Sequence, residues 1–437
     1  MNKLAAALSV SMLCTASIAN AGAPARFGHG ARSTALVRAD VADADATSAP
    51  VQNAAFAAEP GARTRLGYMH GFFDLRINDQ SANVRDASGI DAAAQIGIRL
   101  PASFSVGFAL AAHLPNTAIA HIGFRPGTEP QFFRYESVLQ RATFDLALAA
   151  RRGPFAVGVG AAFALDMGGS GTSFSLGQDA QGTYADAASD ISLDYRAAPI
   201  VGLSVDLGRV AFGATYRGAL AVGLSVDSNI RIALAENPLN GTTSIAVRGV
   251  SGYDPARFAF GAKTKVLRQL SLLAAIEWER YSAAPPPVAN VTLDVNLGTS
   301  PGRTEVEFLA PRFRDILVPR IGIEWASSNG RPGDDRKDDD RSIRWAARAG
   351  YALAPSPVPP QRGFTTYADA TSHSLALGAG VGIGRFWGVD LRFDIAGQAS
   401  ILAPRSERKA SLSLPYATYD VNGKTFVIAG SMEGTFR

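Results

Sequence analysis

From residue 64 onward the chain alternates, position by position, between apolar and small or polar side chains. Along Val210 to Val226 one face carries Val210, Phe212, Ala214, Tyr216, Leu220 and Leu224, and the other carries Ala211, Gly213, Thr215, Arg217, Ala219 and Ser225. Phe155, Val157, Val159, Phe163 and Leu165 alternate with Ala156, Gly158, Gly160, Ala164 and Asp166. Val389, Leu391, Phe393 and Ile395 alternate with Asp390, Arg392, Asp394 and Ala396. A period of two is the signature of a strand with unlike faces. It predicts fourteen strands, at 64–77, 91–100, 103–112, 138–151, 153–166, 191–207, 209–226, 256–266, 269–281, 313–325, 342–353, 372–385, 387–399 and 424–436.

Strand length separates two all-β architectures. Soluble strands run about five or six residues, whereas membrane barrel strands need roughly nine to eleven. Several segments here run well past ten. Joins alternate between short, such as Pro101-Ala102 and Gly208, and long and polar, such as 78–90, 113–137, 167–190, 227–255, 282–312, 354–371 and 400–423. Outer-membrane barrels combine short periplasmic turns with long outer loops and, in bacterial single chains, an even strand count. The fold class expected is therefore an all-β, antiparallel transmembrane barrel of fourteen strands, residues 64–437, with both termini periplasmic. The mixed-charge stretch 329–341 falls on the short-turn side and reads as a solvated insert.

In lipid every backbone polar group needs a partner within the protein, so the apolar face should look outward and the small or charged face into the lumen. Arg217, Glu277, Glu279, Arg320, Glu324, Arg344, Arg348, Asp390, Arg392 and Asp394 fall on the lumen face. Cross-strand ion pairing is the first expectation for them. Contact with the segment 22–63 or with a ligand carboxylate is the second. Tyr68, Phe72, Tyr281, Trp325, Trp387 and Phe436 suit interfacial girdles.

The beginning of the chain is different. Lys3, the apolar run Leu4 to Leu13, and Ala19-Asn20-Ala21 form a secretory signal peptide over 1–21. The single cysteine, Cys14, lies inside it, so the mature chain has no disulfide. Residues 22–63 are rich in Ala and Asp and lack the strand period. They carry helix signals at Ser33-Thr34 and Asp40, and apolar residues at Phe27, Leu36, Val37 and Phe56. Fourteen strands enclose more space than their own side chains fill. Lumen-facing Gly378, Gly380, Gly382 and Gly384 leave further room, so 22–63 is expected as a hatch that plugs the barrel.

Several motifs then resemble those of FadL-type long-chain fatty-acid transporters. Gly28-His29-Gly30-Ala31-Arg32-Ser33, Ala39-Asp40 and Asp43 stand in the order of that family's hatch motifs. Gln52-Asn53-Ala54-Ala55 occupies its Asn-Pro-Ala place, with the proline absent. Ile321 to Trp325, Arg348-Ala349-Gly350-Tyr351, the Pro355–Pro359 run and Leu375 to Gly384 are similar to its late strands, and Tyr253-Asp254-Pro255 through Glu277-Trp278 to a central part. The resemblance spans most of 25–399. It implies passive uptake of fatty acids or hydrocarbons into a Gram-negative outer membrane, without a cofactor, by a monomer surrounded by membrane lipid and inserted by the barrel-assembly machinery. The candidate ligand contacts it implies are Phe27, Leu36, Val37, Phe56, Arg217 and Arg348, with Asn53 and Ala54 as the hatch turn. Lateral release through a kinked third strand would place the kink at Gly107 and Pro115.

Other chemistries have little support. His29, His70, His113, His121 and His373 show no metal-ligand spacing, and Gly168-Gly169-Ser170-Gly171 misses the nucleophile-elbow pattern. No catalytic residue, metal or nucleic-acid partner is expected. A porin for polar solutes is the alternative function; an outer-membrane lipase using His373 is a weaker one.

Overall fold

The computed structural model describes residues 26–436 apart from 117–129, 136–141, 180–181, 235–239, 287, 298–299, 308–310, 328–342, 364, 387 and 415. The expected signal peptide, the charged insert 329–341 and Trp387 lie outside the described residues. The chain forms a closed barrel of fourteen antiparallel strands. They are β1 (Gly61–Ile77), β2 (Ala87–Leu100), β3 (Phe104–Pro115), β4 (Thr143–Arg152), β5 (Phe155–Asp179), β6 (Gly182–Asp206) and β7 (Val210–Arg217). The second half comprises β8 (Ala256–Lys265), β9 (Leu270–Arg280), β10 (Ile316–Ala326), β11 (Ile343–Ala354), β12 (Ser372–Phe386), β13 (Val389–Arg408) and β14 (Thr418–Phe436). Each strand pairs with the next, and β14 closes on β1 in a ladder from Ala62↔Phe436 to Ile77↔Val421. Closure removes the sheet edges that hydrocarbon does not tolerate.

The faces are divided as lipid demands. Leu377, Ile395, Leu375 and Leu148 are 70, 67, 61 and 56% exposed on the outside. Arg217, Glu277, Arg320, Arg348, Asp390 and Arg392 are buried on the inside. This is the apolar band of an outer-membrane barrel. Trp325 and Phe436 are exposed at strand ends, as girdle residues should be, whereas Tyr68 and Phe72 are exposed within β1 rather than at its ends. Tyr281 is not: it is buried, and its ring meets Phe133 edge-on at 6.2 Å inside the outer end of the barrel.

Three further differences concern the outer side. The expected strand 209–226 breaks after Arg217, where Gly218 donates its N–H to the Pro199 carbonyl and leaves β6. Proline has no N–H to continue the β6–β7 ladder, so the chain turns away there. Residues 220–233 instead begin a hairpin with Gly241–Asp254, and Val288–Leu297 pairs with Ser300–Glu307. Residues 220–226 were expected in the strand that ends at 226, whereas 227–255 and 282–312 were expected as long outer loops, although Val291, Leu293, Val295 and Leu297 alternate there with Thr292, Asp294 and Asn296. The hairpin of β5 and β6 also extends far past the expected ends, to Asp179 and Gly182.

Residues 26–58 form short helical pieces: α1 (Ala31–Ala35), α2 (Ala49–Gln52) and tight turns at Asp40–Ala42, Ala46–Ser48 and Ala54–Ala58. Ser33 and Thr34 lie within α1 rather than at its start. These pieces touch β1–β9 and β11–β14, so they lie inside the ring of strands.

Candidate functional site

The N-terminal segment is held by charge at its centre. Arg32 of α1 donates to Glu324 of β10 at 2.8 and 3.0 Å, and to Asp43 at 2.7 Å. Arg348 of β11 donates to the same Glu324 and to Asp394 of β13, both at 2.6 Å. Arg392 joins Asp394 to Asp45 at 2.8 Å each, Lys263 reaches Asp43 at 2.8 Å, and Thr47 donates to Glu433 at 2.5 Å. A second knot joins Arg38 and Arg320 to Glu277. Cross-strand pairing was therefore only part of the lumen's charge logic. The strand charges also capture four charged residues of the segment: Arg32, Arg38, Asp43 and Asp45. Buried charges must be paired, and removing one partner of such a pair costs about 3–5 kcal/mol.

Below this network, shape takes over. A side chain at Gly107 of β3 would put its Cβ 1.9 Å from the Ala57 carbonyl oxygen, and one at Gly202 of β6 would meet Asn53 Oδ1 at 2.3 Å. Gly97, Gly158 and Gly213 face backbone atoms of the segment in the same way. The seam exists because the segment's backbone lies directly on the wall, where only glycine leaves room.

Two cavities lie on opposite sides of the segment. The outer one, of about 50 Å³, is lined by Phe27, Val37, Arg38, Tyr135, Arg320 and Ser374, among others. Above it, Gln131–Phe132 pairs with Tyr367–Ala368, and Arg134 ties the two stretches together by donating to Asp369 at 2.9 Å and to the Ala370 carbonyl at 2.8 Å. Phe133, Phe313, Tyr281 and Tyr367 form one aromatic cluster under this cap. Phe27, Phe73, Phe132 and Tyr135 form another. The inner cavity, of about 380 Å³, is lined by Arg32, Asp43, Asp45 and Phe56 of the segment and by residues of the short turns, including Gly208, Arg268 and Gln269.

The residues singled out in the sequence are thus dispersed. Phe27 and Val37 line the outer cavity, whereas Phe56 and Arg348 line the inner one. Leu36 packs against Leu273 of the wall. Arg217 is engaged by Asp145 and by the Pro50 carbonyl. Asn53 accepts the Ala55 N–H at 3.2 Å and donates to the carbonyls of Val41 and Leu203, so it sets the turn into Ala54 without the missing proline. No bulge marks the expected kink in the third strand. β3 pairs without a register shift from Phe104 to Pro115 with β2, and from Phe104 to His113 with β4. Gly107 serves close approach, and Pro115 ends the strand where its missing N–H is harmless.

Sequence reasoning missed the cap. Its signal was the run Gln131-Phe132-Phe133-Arg134-Tyr135, aromatic residues in a stretch read as a polar loop.

No family model and no curated protein matches the chain. Solved structures do. A Pseudomonas aeruginosa FadL homologue superposes with a TM-score of 0.51 and 12% identity over 96% of this chain and 98% of that one. The fold is that of the FadL-type transporters. The TodX monoaromatic hydrocarbon channel, in its deltaS2 mutant form, matches at TM-score 0.51 and 13% identity over 94% of this chain and all 100% of that one. The FadL-type likeness covers both the ring of strands and the short helical pieces at its N-terminal end.

Proposed function

We propose that the protein passes small hydrophobic compounds, long-chain fatty acids among them, across the outer membrane by diffusion, with residues 22–63 as its hatch. The observation that carries this reading is the outer cavity, bordered by Phe27 and Tyr135 of one aromatic cluster and by Val37 of the N-terminal segment. Aromatic walls favour an apolar guest, and a few fixed polar groups orient it. Arg38, Arg320 and Ser374 provide such groups next to Phe27 and Val37, an arrangement that suits a chain with a carboxylate end. At about 50 Å³ the cavity is too small for such a cargo, so entry requires the side chains around it, Arg134 among them, to move apart. A solved structure of the same fold is a monoaromatic hydrocarbon channel, which supports an apolar substrate.

The test is uptake by liposomes carrying the purified protein. Tritiated oleate and toluene should enter faster than into protein-free vesicles, with little steady ion current. Large steady conductance without accelerated entry of either compound would contradict the reading and favour a porin.

A further inference from the structure

The inner cavity contains features that plugging does not explain. Its lining has ten basic and seven acidic side chains, and the excess sits at the periplasmic rim. The rim acids are engaged: Glu59 lies 3.7 Å from Arg63, and Asp206 accepts the Gly208 N–H at 2.8 Å. Arg151, Lys265 and Arg268 line the same space and make no ion pair among the described residues. Ser204 is 4% exposed, yet its Oγ has no hydrogen-bond partner, and neither has the buried Nε of Arg151. Buried polar atoms ordinarily find partners, so two orphans on one cavity wall indicate a ligand position.

The register brings them together. Arg151 of β4 pairs with Ala156 of β5, which pairs with Ser204 of β6. The two residues therefore stand in one row, separated by a single strand, about 10 Å at the backbone. The intervening alanine leaves space, and the long Arg151 side chain can reach across it. Phe56 closes the cavity on the side of the N-terminal segment.

We propose that this vestibule binds an amphipathic organic carboxylate, with Arg151 and Ser204 holding its head group and Phe56 meeting its apolar part. Guanidinium and hydroxyl donors satisfy a carboxylate, and the unpaired rim cations raise the local concentration of anions. The site rests on the proposed transport function and extends it: cargo with an acid group would have a station on the periplasmic side of the segment.

Titration calorimetry of the detergent-solubilised protein, with octanoate as probe, tests this. Octanoate affinity should fall about tenfold in both Ser204→Ala and Arg151→Gln, and should be unchanged in Ser411→Ala, an exposed loop residue that lines neither cavity. Heat-dependent migration in detergent gels verifies that each barrel is folded. Wild-type affinity in both vestibule variants would overturn the proposal, as would octanol binding that falls equally in them. Inorganic phosphate should compete weakly; phosphate binding as tightly as octanoate would show a general anion site and also overturn it. Toluene uptake by the variants separates the two readings, because it should persist whether or not the vestibule binds octanoate.

Discussion

Arg32 on α1 and Glu324 on β10, separated by 292 positions in sequence, are joined by two hydrogen bonds inside the barrel. That pair ties a short buried helix to the barrel wall. Arg348, Asp394, Arg392, Lys263 and Glu433 belong to the same network, so the link is not an isolated contact.

Arg32→Met should therefore loosen the segment without dissolving the ring. It removes one of the two arginines that share Glu324 and takes from Asp43 its guanidinium partner, leaving Lys263 beside it. A loss of about 3–5 kcal/mol is expected for a buried pair broken on one side. Planar-bilayer recordings should show frequent openings where the unaltered protein is quiet.

Gly107→Ala should destabilise more than Gly430→Ala. At Gly107 the added methyl meets the Ala57 carbonyl, whereas at Gly430 it meets nothing within 4 Å. Overpacking costs about 1–3 kcal/mol, and the difference should appear in urea unfolding midpoints.

Leu377→Arg should impair insertion. Leu377 is 70% exposed near the middle of β12, where an arginine facing lipid costs about 2–4 kcal/mol. The yield of folded barrel in lipid vesicles should drop, while Leu377→Ile should insert normally.

Acid should weaken the structure through His29. Arg65 contacts its Nδ1, and a guanidinium only donates, so the imidazole there is neutral. Burial, reinforced by Arg65, pushes its pKa down to about 3. The unfolded chain takes up that proton near pH 6.5, so between pH 6.5 and 3 it binds more protons than the folded one. Stability from this group is present above pH 6.5 and is lost on acidification, by about 2 kcal/mol at pH 5. His29→Gln should flatten this part of the pH profile of urea unfolding.

The barrel was legible because its alternation is imposed by physics: lipid on one side and a lumen on the other leave each strand a fixed face. Leu375 and Leu377 could point nowhere else. The outer hairpins went unread for different reasons: Thr242 to Ser244 carries little contrast between faces, whereas Asn290 to Asp294 alternates but lies in a stretch whose length and place between ring strands suited an outer loop. The break at Gly218 was hidden for a related reason, because Pro199, which causes it, belongs to a different strand. Within the site, the glycines of the lumen face signalled that something fills the barrel. The partners of Arg32 and Arg38 depend on register across hundreds of residues, which periodicity does not encode. Phe133 and Tyr135 lay in a stretch taken as polar, so the cap went unrecognised.

The central claim is that residues 26–58 are locked against the inner wall and that passage requires them to yield. A cysteine pair tests it, Ala39→Cys with Gly322→Cys: a Cβ at Gly322 would lie 3.4 Å from that of Ala39, near the span of a disulfide. The only natural cysteine is Cys14, so any new crosslink is unambiguous. The account predicts that the bond forms in the oxidising periplasm, that oleate uptake into vesicles falls severalfold, and that reduction restores it. Free thiols in the folded barrel, or undiminished uptake with the bond intact, would contradict it.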